Sequence, residues 1–113
     1  MKVKTHKIYG VPKDICTAEQ KIAYNLTFSY HDLFKAEFLS LPTEAAKSKA
    51  IADMRDTWLN WYRNAYAYKP GKYNEDAIFI ALNNGIRRYM ENPFIASNYE
   101  IIGEVFAIPY ELA

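Results

Sequence analysis

The sequence predicts one small α+β domain, with three main helices packed on a small antiparallel sheet formed largely by the N- and C-terminal strands. Three observations lead there. Half of the 113 residues are apolar, enough for a single domain over residues 1–113 that buries roughly two-thirds of its unfolded surface. Apolar residues recur at helical spacing through residues 18–90. Both chain ends are rich in strand-forming residues and carry opposite charge.

Residues 2–11 read as a strand: Val3, Thr5, Ile8, Tyr9 and Val11 favour extended backbone, and Gly10 and Pro12 close the segment. Thr17 then caps a helix, with Gln20 three residues later completing a capping box. A helix over 18–40 would place Ile22, Leu26, Tyr30, Leu33, Phe34, Phe38 and Leu41 on one face. Tyr24, Leu26, Phe28 and Tyr30 also alternate with polar residues as a strand would. The helix is preferred because the segment begins and ends in strong helix formers.

Pro42 ends that helix and Thr43 caps the next, over 44–67, where Ala50, Ile51, Met54, Trp58, Trp61, Tyr62 and Ala65 repeat at three- and four-residue spacing. Lys69-Pro70-Gly71-Lys72 is a loop. Asn74 caps a third helix with Glu75 and Asp76 at its positive end. Its apolar face is Ile78, Phe79, Leu82, Ile86, Tyr89 and Met90, and Arg87 and Arg88 suit its last turn. Pro93 limits its continuation. Residues 99–108 read as the last strand, since Ile101, Ile102, Val105, Phe106 and Ile108 are apolar on both parities, with Pro109 ending its pairing. Lys2, Lys4, Lys7 and Lys13 at one end face Glu100, Glu104 and Glu111 at the other, which makes the terminal strands natural neighbours.

The formal net charge is +1, from 14 basic and 13 acidic residues. Such a balance does not call for a polyanion. One cysteine makes no internal disulfide, and the basic start has no apolar stretch behind it, so a cytoplasmic protein with no membrane span is expected. Pro70-Gly71-Lys72 lacks the flanking glycine and the Ser/Thr of a phosphate loop. His6, Cys16 and His31 have no metal-ligand spacing, so no metal and no cofactor are expected. Cys16, His31 and Asp32 supply the residue types of nucleophilic catalysis without a local context for it, and read better as a half-buried thiol and a surface ion pair. Asp53 and Asp56, with Lys49 and Arg55 beside them, read as a solvated charged face. The expectation is a protein that is not an enzyme.

The segment from Trp58 to Tyr73 carries more aromatic and cationic side chains than one core stripe uses. Trp58, Trp61, Tyr62 and Ala65 are assigned to the core. Arg63, Tyr66, Tyr68, Lys69, Lys72 and Tyr73 are left as a partner-binding surface, since Trp, Tyr and Arg anchor interfaces. Arg87 and Arg88 are the alternative ligand-binding positions. In size, in Lys, Asn and Tyr usage and in lacking catalytic motifs, the chain resembles the small accessory proteins of bacteriophages, a class that includes inhibitors of host defence such as anti-CRISPR proteins. The likeness is one of composition and carries over no residue. It implies a non-enzymatic interaction protein with a protein partner. A binding module for a small anionic ligand or single-stranded nucleic acid is the alternative. A homodimer is also expected, through the terminal strands or the aromatic second helix.

Overall fold

The computed structural model describes residues 16–66, 68–92 and 99–109. The elements are α1 (Ala18–Tyr30), a single 3-10 turn (His31–Leu33), α2 (Lys35–Leu39), α3 (Glu44–Arg63), α4 (Glu75–Glu91) and α5 (Tyr99–Val105). No strand occurs among the described residues, so the expected α+β class gives way to a helical bundle. The expected strand over 2–11 lies outside the described residues. A homodimer built through paired terminal strands loses its basis, because the C-terminal segment is helical.

Each long helix begins where local chemistry provides a start. Thr17 and Gln20 form the capping box: the Thr17 N–H donates to Gln20 Oε1 at 2.8 Å, and the Gln20 N–H to Thr17 Oγ1 at 3.2 Å. Thr43 Oγ1 accepts from the Ala46 N–H, and Asn74 Oδ1 from Asp76 and Ala77. The Asn64 side-chain amide donates to the Asn60 carbonyl and closes α3 at Arg63, four residues before the expected end at 67.

Helix α1 packs chiefly on α4, which also supports α3 and α5. Arg87 near the end of α4 meets Glu44 at the start of α3, and Arg63 at the end of α3 meets Glu75 at the start of α4, so these two helices run antiparallel. The core between them holds Trp58, Ile78, Leu82 and Ile86, all wholly buried.

The expected helix over 18–40 breaks at His31–Leu33. Unbroken, its 23 residues would run about 35 Å, whereas the 17 residues of α4 offer about 25 Å of support. The bend keeps Phe38 buried and turns Leu33 out to 69% exposure. His31 closes α1 through Nδ1, which stands 3.0 Å and 3.1 Å from the Thr27 and Phe28 carbonyls. The strand-like alternation over 24–30 is helix throughout, with Tyr24, Leu26 and Thr27 its buried positions.

The segment 99–108 is the larger correction. Ile102, Val105 and Phe106 fall at helical spacing and are buried together against α1 and α4. A run apolar on both parities satisfies either period. What completes the helix is non-local: Gln20 Nε2 donates at 3.1 Å to both the Gly103 and the Phe106 carbonyls, satisfying backbone acceptors at the end of α5. Asn84 Nδ2 holds the irregular residues that follow through the Ala107 carbonyl at 2.8 Å.

Candidate functional site

Two tight turns carry the expected contact residues. In the first, the Tyr68 N–H donates to the Ala65 carbonyl at 3.0 Å, which puts Tyr66 at its corner. In the second, the Lys72 N–H donates to the Lys69 carbonyl at 3.3 Å. Pro70 and Gly71 are its central residues, and Gly71 has φ +79°, the left-handed value that the third position of a type II turn requires. Lys69 and Lys72 therefore flank one turn, with their Cα atoms within roughly 7 Å.

Glu75 fixes this loop to the helices. Its Oε1 accepts from Arg63 Nε at 2.6 Å and its Oε2 from the Tyr68 hydroxyl at 2.7 Å. Tyr68 also meets the Tyr62 ring edge-on, with centroids 5.1 Å apart. Both hydrogen bonds, that of Tyr68 first, hold the Glu75 carboxyl below the usual carboxylate range, while the same bond raises the Tyr68 phenol. Burial raises the Tyr62 phenol. From the other side, Glu19 Oε2 accepts the Asn74 N–H at 2.9 Å and ties the loop to α1.

The six expected contact residues thus divide. Arg63 and Tyr68 are engaged by Glu75. Tyr73 is half-buried against the core, with Lys72 Nζ 5.4 Å from its ring centroid. Tyr66 and Lys69 are exposed, and neither side chain makes a hydrogen bond, ion pair or ring contact with the other described residues. Arg87 and Arg88 lie at the other end of α3, roughly 30 Å away for a helix of this length. Arg87 pairs with Glu44 at 2.6 Å and Glu91 at 3.0 Å, which raises its already high pKa and lowers that of Glu44. Arg88 is exposed.

The residues weighed for catalysis are apart. Cys16 precedes α1 and His31 follows it, about 20 Å away along the helix. Burial raises the Cys16 thiol above its ordinary value, which disfavours the thiolate. His31 Nε2 meets the exposed Asp32 at 3.0 Å. Asp53 pairs with Lys49 and Asp56 with Arg55. Among the described residues no three His, Cys, Asp or Glu side chains converge as metal ligands, and no helix is long and apolar enough to cross a membrane.

Sequence reasoning placed Trp61 in the core, but it is 37% exposed. It lies edge-on to Tyr30, centroids 4.9 Å apart, and tilted against Phe34 at 6.3 Å. Phe79, expected on the core face of α4, is at the surface with the Arg55 guanidinium 4.0 Å over its ring. Also missed was a groove between α2 and α3 that begins at Phe34. Its only sequence signal was the crowding of Phe34 and Phe38 beside the break in the first helix. Compared with protein families, curated proteins and solved structures, the chain matches none.

Proposed function

We propose that this chain is a small non-enzymatic interaction protein that covers part of a larger protein partner through the 65–73 loop. The observation that carries the reading is Tyr66: a wholly exposed ring at the corner of a hydrogen-bonded turn, followed along the chain by a second turn that Lys69 and Lys72 flank. Such a ring offers contact area at low entropic cost because its backbone is already ordered. Lys69 and Lys72 favour an acidic surface on the partner and speed encounter with it. Arg63, Tyr68 and Tyr73 act beneath them as the frame that holds the turns. The compositional resemblance to phage accessory proteins suggests a host protein, such as a component of host defence, as the partner.

An anionic small ligand or single-stranded nucleic acid draws less support. Arg63 and Arg87 are already neutralised by carboxylates, and Arg87 and Arg88 are remote from the lysine turn.

The test compares partners co-purified with the wild-type chain and with Tyr66→Ala, Lys69→Glu/Lys72→Glu and Arg88→Ala. The expected result is a protein retained by wild type and Arg88→Ala and lost with the loop variants, all melting within a few degrees of each other. A partner retained by every variant places the contact elsewhere. Binding that falls steeply and linearly in log–log with salt, and needs Arg88, favours the anionic ligand.

A further inference from the structure

The groove between α2 and α3 encloses about 220 Å³. Phe38 and Met54 form its buried floor, and Phe34, Ala50 and Thr57 its half-buried sides. Among the described residues its lining contains two charged side chains, both acids on facing helices: Glu37 on α2 and Asp53 on α3. The Glu37 carboxylate has no hydrogen bond or ion pair among the described residues. Among the described residues Asp53 is held only by Lys49, at 3.2 Å, in a pair exposed on both sides. Exposed pairs of this kind contribute little and exchange readily. Phe38 already meets one cation, Lys47, which is not a lining residue of the groove and whose Nζ lies 5.8 Å from the ring centroid.

An apolar trough with an acid on each wall matches one kind of side chain, a long apolar stem ending in a cation. We infer that this groove is a docking slot for an arginine side chain presented by a protein partner. The stem packs on Phe34, Phe38 and Met54, and the guanidinium sits between Glu37 and Asp53. Arginine fits better than lysine because the planar fork can address two carboxylates from one position, stacks on aromatic faces, and is more weakly hydrated than an ammonium. The slot shares no residue with the 65–73 loop and has the opposite charge preference, so it stands or falls separately from the function proposed above.

The test is a two-dimensional amide NMR titration of the full chain with the blocked peptide Ala-Arg-Ala, and with Ala-citrulline-Ala, which keeps the shape and removes the charge. The expected result is saturable shifts at Glu37, Phe38, Asp53 and Met54 with the arginine peptide, and affinity at least about tenfold weaker for citrulline. Glu37→Gln/Asp53→Asn changes only exposed groups and should fold with an unchanged melting temperature. It should lose the discrimination between the two peptides, while Tyr66→Ala leaves the titration as in wild type. Shifts that fail to saturate, equal binding of both peptides, or a double variant that still prefers arginine would overturn the slot.

Discussion

The ring of Phe106 occupies the space that a Cβ on Gly85 would need: a methyl group built there collides with three atoms of the ring. Helix α4 therefore carries a glycine in its interior to let the C-terminal segment approach. By helix propensity alone, Gly85→Ala should stabilise the protein by about 0.5–1 kcal/mol. Overpacking of a filled core costs about 1–3 kcal/mol and should win. Urea denaturation is expected to give a net loss of stability for Gly85→Ala, partly restored by adding Phe106→Leu. A more stable Gly85→Ala would mean that the ring moves aside freely.

Gln20 is wholly buried, and its amide serves two helices at once. Gln20→Leu removes the return half of the capping box and leaves the Gly103 and Phe106 carbonyls without that donor. The loss should be about 2–4 kcal/mol, from a weakened cap and newly unsatisfied buried acceptors. Hydrogen exchange distinguishes the two roles: protection should fall in α5 as well as in the first turn of α1. If only α1 loosens, the long-range bonds contribute little.

The two tryptophans should behave differently. Trp58 is 0% exposed, and truncation to Ala should cost about 3–5 kcal/mol. Trp61 is at the rim, so Trp61→Ala should cost markedly less. The Trp58 indole N–H has no hydrogen-bond partner among the described residues. Trp58→Phe thus loses ring area without losing a hydrogen bond, and should be milder than Trp58→Ala. Chemical denaturation of the three variants checks the order, and equal losses for the two alanine variants would contradict it.

The loop should respond to acid and to alkali through one carboxylate. Glu75 is held below its unfolded pKa, so its contribution is present above about pH 4.3, and is lost as pH falls through the folded value. Tyr68 is raised, so its contribution is present below about pH 10 and is lost as pH rises through its folded value. Wild type should exceed Glu75→Gln in stability most at neutral pH, with the gap narrowing on both sides. Thermal melts from pH 3 to 11 test this, and a gap constant across that range would separate Glu75 from both partners.

Local chemistry was legible in the residues themselves. The caps at Thr17, Thr43 and Asn74 and the Pro70-Gly71 turn depend on side chains one to three positions from the backbone groups they serve, so short windows suffice to find them. The helical core stripe of α4 was legible for the same reason, Phe79 excepted. Tertiary structure alone decided the class of the fold and the surface. Residues 99–105 are helical because Gln20, some 80 positions earlier, donates to the Gly103 and Phe106 carbonyls at the end of the helix, and because α1 and α4 receive Ile102, Val105 and Phe106. The first helix bends at His31 because its support ends there. Trp61 lies at the rim because the face of α3 that is buried runs through Ile51, Met54, Trp58 and the half-buried Tyr62. An apolar run states only that burial is favourable. Which face is buried, and in which backbone form, depends on partners distant in sequence.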